Sequence, residues 1–224
     1  MKTIILSLGG SLIVPEKIDV EFLKSFRKAV LNFVKKGNRI VIITGGGKIA
    51  RDYITSAEKI TKLNIEDLDW IGIHSTRLNA HLLRTIFRDY SYAKIIKNPT
   101  EKIKTNKKII IASGWKPGCS TDYDGVLIAQ NLKVKTMINM TNIDYVHDKN
   151  PMEHKNTKII KELNWKQMRK IVGNKWSPGL NVPFDPEACK LAEKLKLKVI
   201  MIGKSVINFE NLLRGKGFKG SVIE

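Results

Sequence analysis

The feature that most constrains how this chain can fold is the triple glycine Gly45-Gly46-Gly47, set between two segments of different hydrophobic period. Before it, Arg39-Ile40-Val41-Ile42-Ile43 is a short β-branched run that reads as a parallel strand buried on both faces. From Lys48 onward the spacing is helical, so the glycines form a strand-to-helix turn. Residues without a Cβ let the backbone come close to a ligand, and the first N–H groups of the following helix point into the same space. Such a place favours an anion, and Lys48 and Arg51 add cationic side chains one helical turn apart. A glycine turn after a strand is also ordinary chain geometry, but a second one shifts the balance: the strand Thr3-Ile4-Ile5-Leu6-Ser7-Leu8 runs into Gly9-Gly10-Ser11.

A third junction follows the same plan. The run Ile109 to Ala112 empties into Ser113-Gly114-Trp115-Lys116-Pro117-Gly118-Cys119-Ser120-Thr121-Asp122, rich in turn residues. Ser120 or Thr121 can cap the helix that starts there, and Asp122 suits its positive end. Capping explains one such residue. It leaves unexplained why three glycine-containing junctions all follow strands, which in a parallel sheet lines them along one carboxyl edge, where open α/β folds bind ligands.

The remaining chain keeps alternating. Asp19 caps a helix with Phe22, Leu23, Phe26, Ala29, Val30, Phe33 and Val34 at three-four spacing, and Gly37 ends it. A long helix is expected from about Leu68 to Phe87, with Asp69, Arg77 and Asn79 read as ordinary outward polar positions. Strands are expected at Ala93 to Ile96, Lys135 to Met140, Lys198 to Gly203 and Ser221 to Ile223, and a helix opens at Asp185-Pro186. The pattern predicts one three-layer α/β/α domain over residues 1–224 with a mainly parallel sheet and a shallow division near residue 115.

Composition narrows the function classes. The 224 residues are 42% hydrophobic, as in a soluble globular protein. No apolar run approaches membrane-spanning length and the N-terminus does not read as a signal peptide, so a cytoplasmic protein is expected. Cys119 and Cys189 lack metal-ligand spacing, which argues against a structural zinc. The formal charge of +19 comes from lysines scattered over nearly every element. The densest group, Lys94, Lys97, Lys102, Lys104, Lys107 and Lys108, surrounds Asn98-Pro99 and reads as a solvated loop rather than a nucleic-acid surface. A positive field also attracts nucleotides.

Taken together, Leu8-Gly9-Gly10-Ser11, Thr44 to Lys48, Ser120-Thr121-Asp122, Thr141-Asn142-Ile143-Asp144, Asp185-Pro186 and Gly220 to Glu224 resemble, in order and spacing, the amino acid kinase family. Ile71-Gly72-Ile73 with Thr76-Arg77-Leu78-Asn79-Ala80 is similar to its archaeal uridylate kinase branch. The resemblance spans nearly the whole chain. It implies the amino acid kinase fold and phosphoryl transfer from MgATP to UMP, giving UDP, in a cytoplasmic homohexamer. It implies an acceptor lobe of about residues 1–115 and an ATP lobe of about 116–224, with Mg²⁺ as the cofactor. Phosphoryl transfer asks mainly for alignment and for neutralisation of spreading charge, so glycine amides and lysine are fitting equipment. By the resemblance, Gly9, Gly10 and Ser11 face the transferred group, Gly46, Gly47 and Arg51 the UMP phosphate, and Asp69 the ribose. Ser120 and Thr121 contact the acceptor, Asp122 orients charged groups, and Thr141, Asn142, Asp144, Val146 and Asn150 line the ATP site.

Several positions depart from the family pattern. Ser7 stands where most members have lysine, which leaves Lys48 as the expected catalytic cation, with Lys116 or Lys175 next. Asp144-Tyr145-Val146-His147 and Asn150-Pro151 replace Asp-Gly-Val-Tyr and Asp-Pro, and the stiff segment Trp176 to Phe184 replaces a small polar one. His147 reads as a solvated or hydrogen-bonded loop residue. Two alternatives stay open: a family kinase with another acceptor, such as an amino acid or isopentenyl phosphate, and a non-catalytic nucleotide-binding regulator.

Overall fold

The structure is a computed structural model and describes residues 1–151, 153–154, 156–175 and 182–224. In chain order its elements are β1 (Thr3–Leu8), α1 (Gly10–Ile13), α2 (Val20–Lys35), β2 (Arg39–Thr44), α3 (Gly47–Glu58), α4 (Ile65–Ile86), β3 (Ile109–Ala112), α5 (Thr121–Asn131) and β4 (Thr136–Met140). The second half continues with β5 (Val146–His147), β6 (Ile159–Ile160), β7 (Glu162–Leu163), α6 (Trp165–Val172), α7 (Pro186–Lys194), β8 (Lys198–Ile202), α8 (Val206–Leu213) and β9 (Ser221–Ile223).

One seven-stranded sheet has the order β3-β2-β1-β4-β8-β9-β7. From β3 to β8 every neighbour is parallel, while β9 runs antiparallel to β8 and parallel to β7. β5 and β6 form a separate antiparallel ribbon. The strand residues explain the layering. Ile4, Leu6, Leu8, Ile40, Ile42, Ile109, Ile111, Ile138, Met140, Ile200 and Ile202 face the core under α2, α8 and the end of α4. Ile5, Val41, Ile43, Ile110, Ala112, Met137, Val199 and Met201 face the core under α5, α6 and α7. Both faces are covered, as continuous β-branched runs require. The order reverses between β1 and β4, because the chain winds from β1 outward to β2 and β3 and then returns to the other side. That switch point opens a crevice at the carboxyl ends of the strands.

Caps set several helix limits. Asp19 accepts from Phe22 N at 2.9 Å, Gly37 beyond α2 has φ +82°, and Asp185 accepts from Ala188 N at 2.6 Å with Pro186 in the first turn. α4 begins earlier than its apolar period indicated because Asn64 accepts from Asp67 N at 2.8 Å. The expected strand at Ala93 to Ile96 is only partly laddered: this stretch meets β3 through the isolated bridges Ser91 with Ile109 and Ile96 with Ala112. Ile95 and Ile96 still bury toward opposite faces of the sheet, which is why the residues read as a strand. Residues 176–181 of the stiff segment lie outside the described residues.

Candidate active site

The two glycine turns meet backbone to backbone at the switch point. A Cβ on Gly10 would lie 2.1 Å from Gly47 N and 2.6 Å from the carbonyl carbons of Gly45 and Gly46. A Cβ on Gly45 would lie 2.5 Å from Gly10 N, and one on Gly47, whose φ is +69°, 2.4 Å from Gly10 O. These glycines are needed first for each other, since no side chain fits between turns this close. Gly45 N donates to Leu8 O at 2.9 Å, and Gly9 N donates across the switch point to Met140 O at 2.8 Å. Gly9, Gly10 and Ser11 therefore join the turn of Gly46 and Gly47 on one side and the end of β4 on the other. Ser11 lies in α1 and is partly accessible.

α4 braces this arrangement with polar residues that point inward, not to solvent as the period alone indicated. Asn79 is 1% exposed, and its Nδ2 donates to Gly45 O at 2.8 Å and to Gly46 O at 3.1 Å. Thr76 Oγ1 accepts from Gly114 N at 2.8 Å, and Arg77 Nη2 donates to Trp115 O at 3.1 Å. Asp69 accepts from Gly118 N at 2.7 Å, and burial raises its pKa. One helix thus holds both the β2–α3 turn and the β3–α5 loop. A single polar residue in a helix gives no sign of this; the signal that could have found it is the set Asp69, Thr76 and Asn79 on neighbouring faces of one long helix.

Behind the turns sits a group of carboxylates. Ser7 belongs to the β1 face that looks toward α5, and its hydroxyl donates to Asp122 Oδ1 at 3.1 Å. Asp122 also accepts from the backbone N–H of Asp185. Burial and then the neighbouring Asp185 charge push the Asp122 carboxyl up to about 7, against the two hydrogen bonds that favour its ionised form. Asp124, two residues further along α5, is fully buried; one oxygen accepts from Trp115 N at 3.0 Å, the other has no partner among the described residues, and burial pushes its carboxyl up to about 8. Ser120 caps α5 through Tyr123 N at 3.1 Å and also hydrogen-bonds Asp185, whose pKa burial raises as well. Thr121 opens α5, partly accessible beside them. Sequence reading picked out Asp122 but missed Asp124, which has the spacing of an ordinary first-turn acid.

Four basic side chains need placing. Lys48 Nζ lies 2.5 Å from Asp52 and 3.6 Å from Glu16, so the expected cation is engaged by two carboxylates in this conformation. Arg51 is exposed on α3, with no ion pair among the described residues. Arg77 stacks 5.8 Å above the Trp70 ring, and Lys116 Nζ rests 4.2 Å above the Trp115 ring, near enough to act on the Asp124 carboxylate.

On the β4 side, Thr141, Asn142 and Asn150 line a cleft of about 230 Å³ together with His147, Lys149 and Val182. His147 Nδ1 is 2.8 Å from Thr157 Oγ1, so the residue is hydrogen-bonded as expected, but it sits in β5 paired with Ile159 and not in a loop. Asp144 is not in that cleft. It lies beside Gly203 at the end of β8, where a Cβ would fall 1.8 Å from its Oδ1, and borders a neighbouring hollow with Ser205 and Lys219. Val146 is fully buried in the core, and its N–H donates to Ser221 Oγ at 2.8 Å.

With this geometry the chain is similar to known proteins along its length. The profile of the amino acid kinase family matches residues 2–203. A uridylate kinase from Sulfurisphaera tokodaii is 34% identical over 99% of this chain and 98% of its own. One from Thermoplasma volcanium is 33% identical over 96% of this chain and 94% of its own. The crystal structure of uridylate kinase from Archaeoglobus fulgidus superposes with a TM-score of 0.84 at 31% identity, covering both chains completely. The chain belongs to the amino acid kinase family.

Proposed function

We propose that the chain is a uridylate kinase that transfers the γ-phosphoryl group of MgATP to UMP, giving UDP and ADP. The observation that carries the reading is the meeting of two glycine turns and the Ser7–Asp122 pair at the sheet's switch point, in a chain 34% identical to a uridylate kinase over nearly its whole length. An oxygen of the UMP phosphate attacks the γ-phosphorus as the bond to the ADP oxygen breaks. The acceptor phosphate is already largely ionised at neutral pH, so no side chain has to take its proton. Mg²⁺, delivered with ATP, would neutralise charge on the transferring group.

In this reading residues 1–115 hold the acceptor and residues 116–224 hold ATP. Gly9, Gly10 and Ser11 face the moving group, and Gly46, Gly47 and Arg51 take the UMP phosphate. Asp69, Ser120 and Thr121 contact the rest of the acceptor. Thr141, Asn142 and Asn150 line the cleft that takes ATP, Asp144 reaches it from the hollow beside Gly203, and Val146 fixes the wall behind them. Asp122 orders the charge between the lobes, and Lys48 supplies the cation once it leaves Asp52 and Glu16. The enzyme works in the cytoplasm as a homohexamer. Support for assembly comes from α3, which buries no residue of its own and leaves Tyr53 67% exposed, near the exposed Ile60 and Ile65.

ADP release measured with UMP, CMP, dTMP, AMP and amino acids in turn tests the proposal. UMP should be the preferred acceptor. A preference for an amino acid would move the chain to another branch of its family, and no acceptor-dependent release would make it a nucleotide-binding regulator.

A further inference from the structure

Asn79 is a buried amide whose two polar functions could have been spent within its own helix. Instead its NH₂ group crosses to the β2–α3 turn and donates to two consecutive carbonyls, Gly45 O at 2.8 Å and Gly46 O at 3.1 Å. The carbonyl and N–H of a planar trans peptide point in opposite directions. No peptide bond in the described residues is cis. Holding the Gly45 and Gly46 carbonyls toward α4 therefore turns the N–H groups of Gly46 and Gly47 away from it, toward the seam with the Gly9–Gly10 turn. Among the described residues neither amide donates to a protein acceptor, and both stand at the start of α3. Glycine accepts either sign of φ, so no side chain in the turn itself fixes these peptides; contact with Gly10 and the Asn79 hydrogen bonds set their orientation. A flipped peptide would point a carbonyl oxygen where an anion has to sit.

We propose that Asn79 is a positioning residue for the acceptor: it locks the Gly46 and Gly47 amides into the orientation that receives the acceptor's phosphate. The inference rests on the kinase reading above and adds a determinant of acceptor binding that lies outside the glycine turn itself. Thr76 and Arg77, from the same helix, hold the other acceptor-side loop by its backbone, and Asn79 completes the set on the glycine turn. Lock and phosphate never touch. Asn79 acts through the two peptide groups.

The test is Asn79→Asp, which keeps the shape but replaces the donating NH₂ by an oxygen facing two carbonyls. With the lock gone, KM for UMP should rise by about tenfold or more, while KM for ATP stays within about threefold, since tenfold corresponds to the loss of roughly one good hydrogen bond. Asn79→Ala, milder in charge, should show the same split and guards against misfolding of the acid. Both are assayed alongside thermal melts, well below their midpoints. A folded variant with an unchanged KM for UMP overturns the proposal, and so does an equal rise for both nucleotides, which marks a merely structural role. Failure of the wild-type protein to phosphorylate UMP is a different result, and it overturns the kinase reading on which the proposal stands.

Discussion

Replacing Asp122 by Asn should make the protein more stable and far less active. The Asp122 carboxyl, 3.8 in an ordinary setting, is pushed up to about 7 by burial and by Asp185. In the unfolded chain it ionises above about pH 4, but in the fold only above about pH 7. Its cost to stability is therefore absent below pH 4, grows between the two values and is complete above pH 7. At 1.36 kcal/mol for each pH step, the ceiling is about 4 kcal/mol at pH 8. Asn keeps an oxygen for Ser7 but gives up the charge-assisted hydrogen bonding of the carboxylate with Ser7 and the Asp185 N–H, which returns about 1–2 kcal/mol. A net gain of about 2–3 kcal/mol in a chain of this length raises the melting midpoint by roughly 5–10 °C. Turnover should fall by about a hundredfold or more, the usual consequence of removing a preorganised charge. Melts of both proteins at pH 8 and pH 4, with ADP release at pH 8, make the assay. An Asn variant that melts at or below wild type at pH 8, or a gap that does not shrink at pH 4, refutes the electrostatic reasoning. Turnover within about threefold of wild type reduces Asp122 to a first-turn helix residue.

Three further outcomes follow from the same geometry. Arg51→Ala should raise the KM for UMP by about tenfold and leave that for ATP nearly unchanged in initial-rate assays, whereas equal changes would make Arg51 structural. Lys48→Met should cut turnover by about a hundredfold with little loss of ATP affinity, and adding Ser7→Lys should restore part of it; wild-type turnover in Lys48→Met would transfer the cation's task to Lys116, whose charge acts on the Asp124 carboxylate, or to Lys175. Gly203→Ala should raise the KM for ATP selectively, because its Cβ would strike Asp144 Oδ1, and an unchanged KM would remove Asp144 from the ATP site.

Alternating strands and helices were legible because the buried strands carry apolar residues on both faces and α2 a three-four stripe, with Asp19 and Asp185 as caps. The three junctions on one sheet edge followed from the parallel order. What each glycine does was not legible. Sequence reading gave the triple glycine to a ligand, yet Gly45 and Gly47 are first required by Gly10, a partner more than thirty residues earlier that no local window contains. The same limit hid Asn79 and Thr76, whose polar side chains look like solvent-facing positions until the loops they hold are brought beside the helix. The engagement of Lys48 was half legible: Asp52 lies one turn along α3, but Glu16 arrives from the α1–α2 loop. Two-residue strands such as β5 and β6 carry too little periodicity to find, and they form because Val146 and Ile160 pair across the ribbon.

The central claim is that this sheet edge aligns ATP with UMP for direct transfer. ATP labelled only in its γ-phosphoryl group, incubated with the protein, Mg²⁺ and UMP, separates the possibilities most directly. The label should appear in UDP, in step with ADP formation and with no labelled protein or inorganic phosphate accumulating. Label that stays in ATP, or that leaves as inorganic phosphate at the same rate with and without UMP, contradicts it.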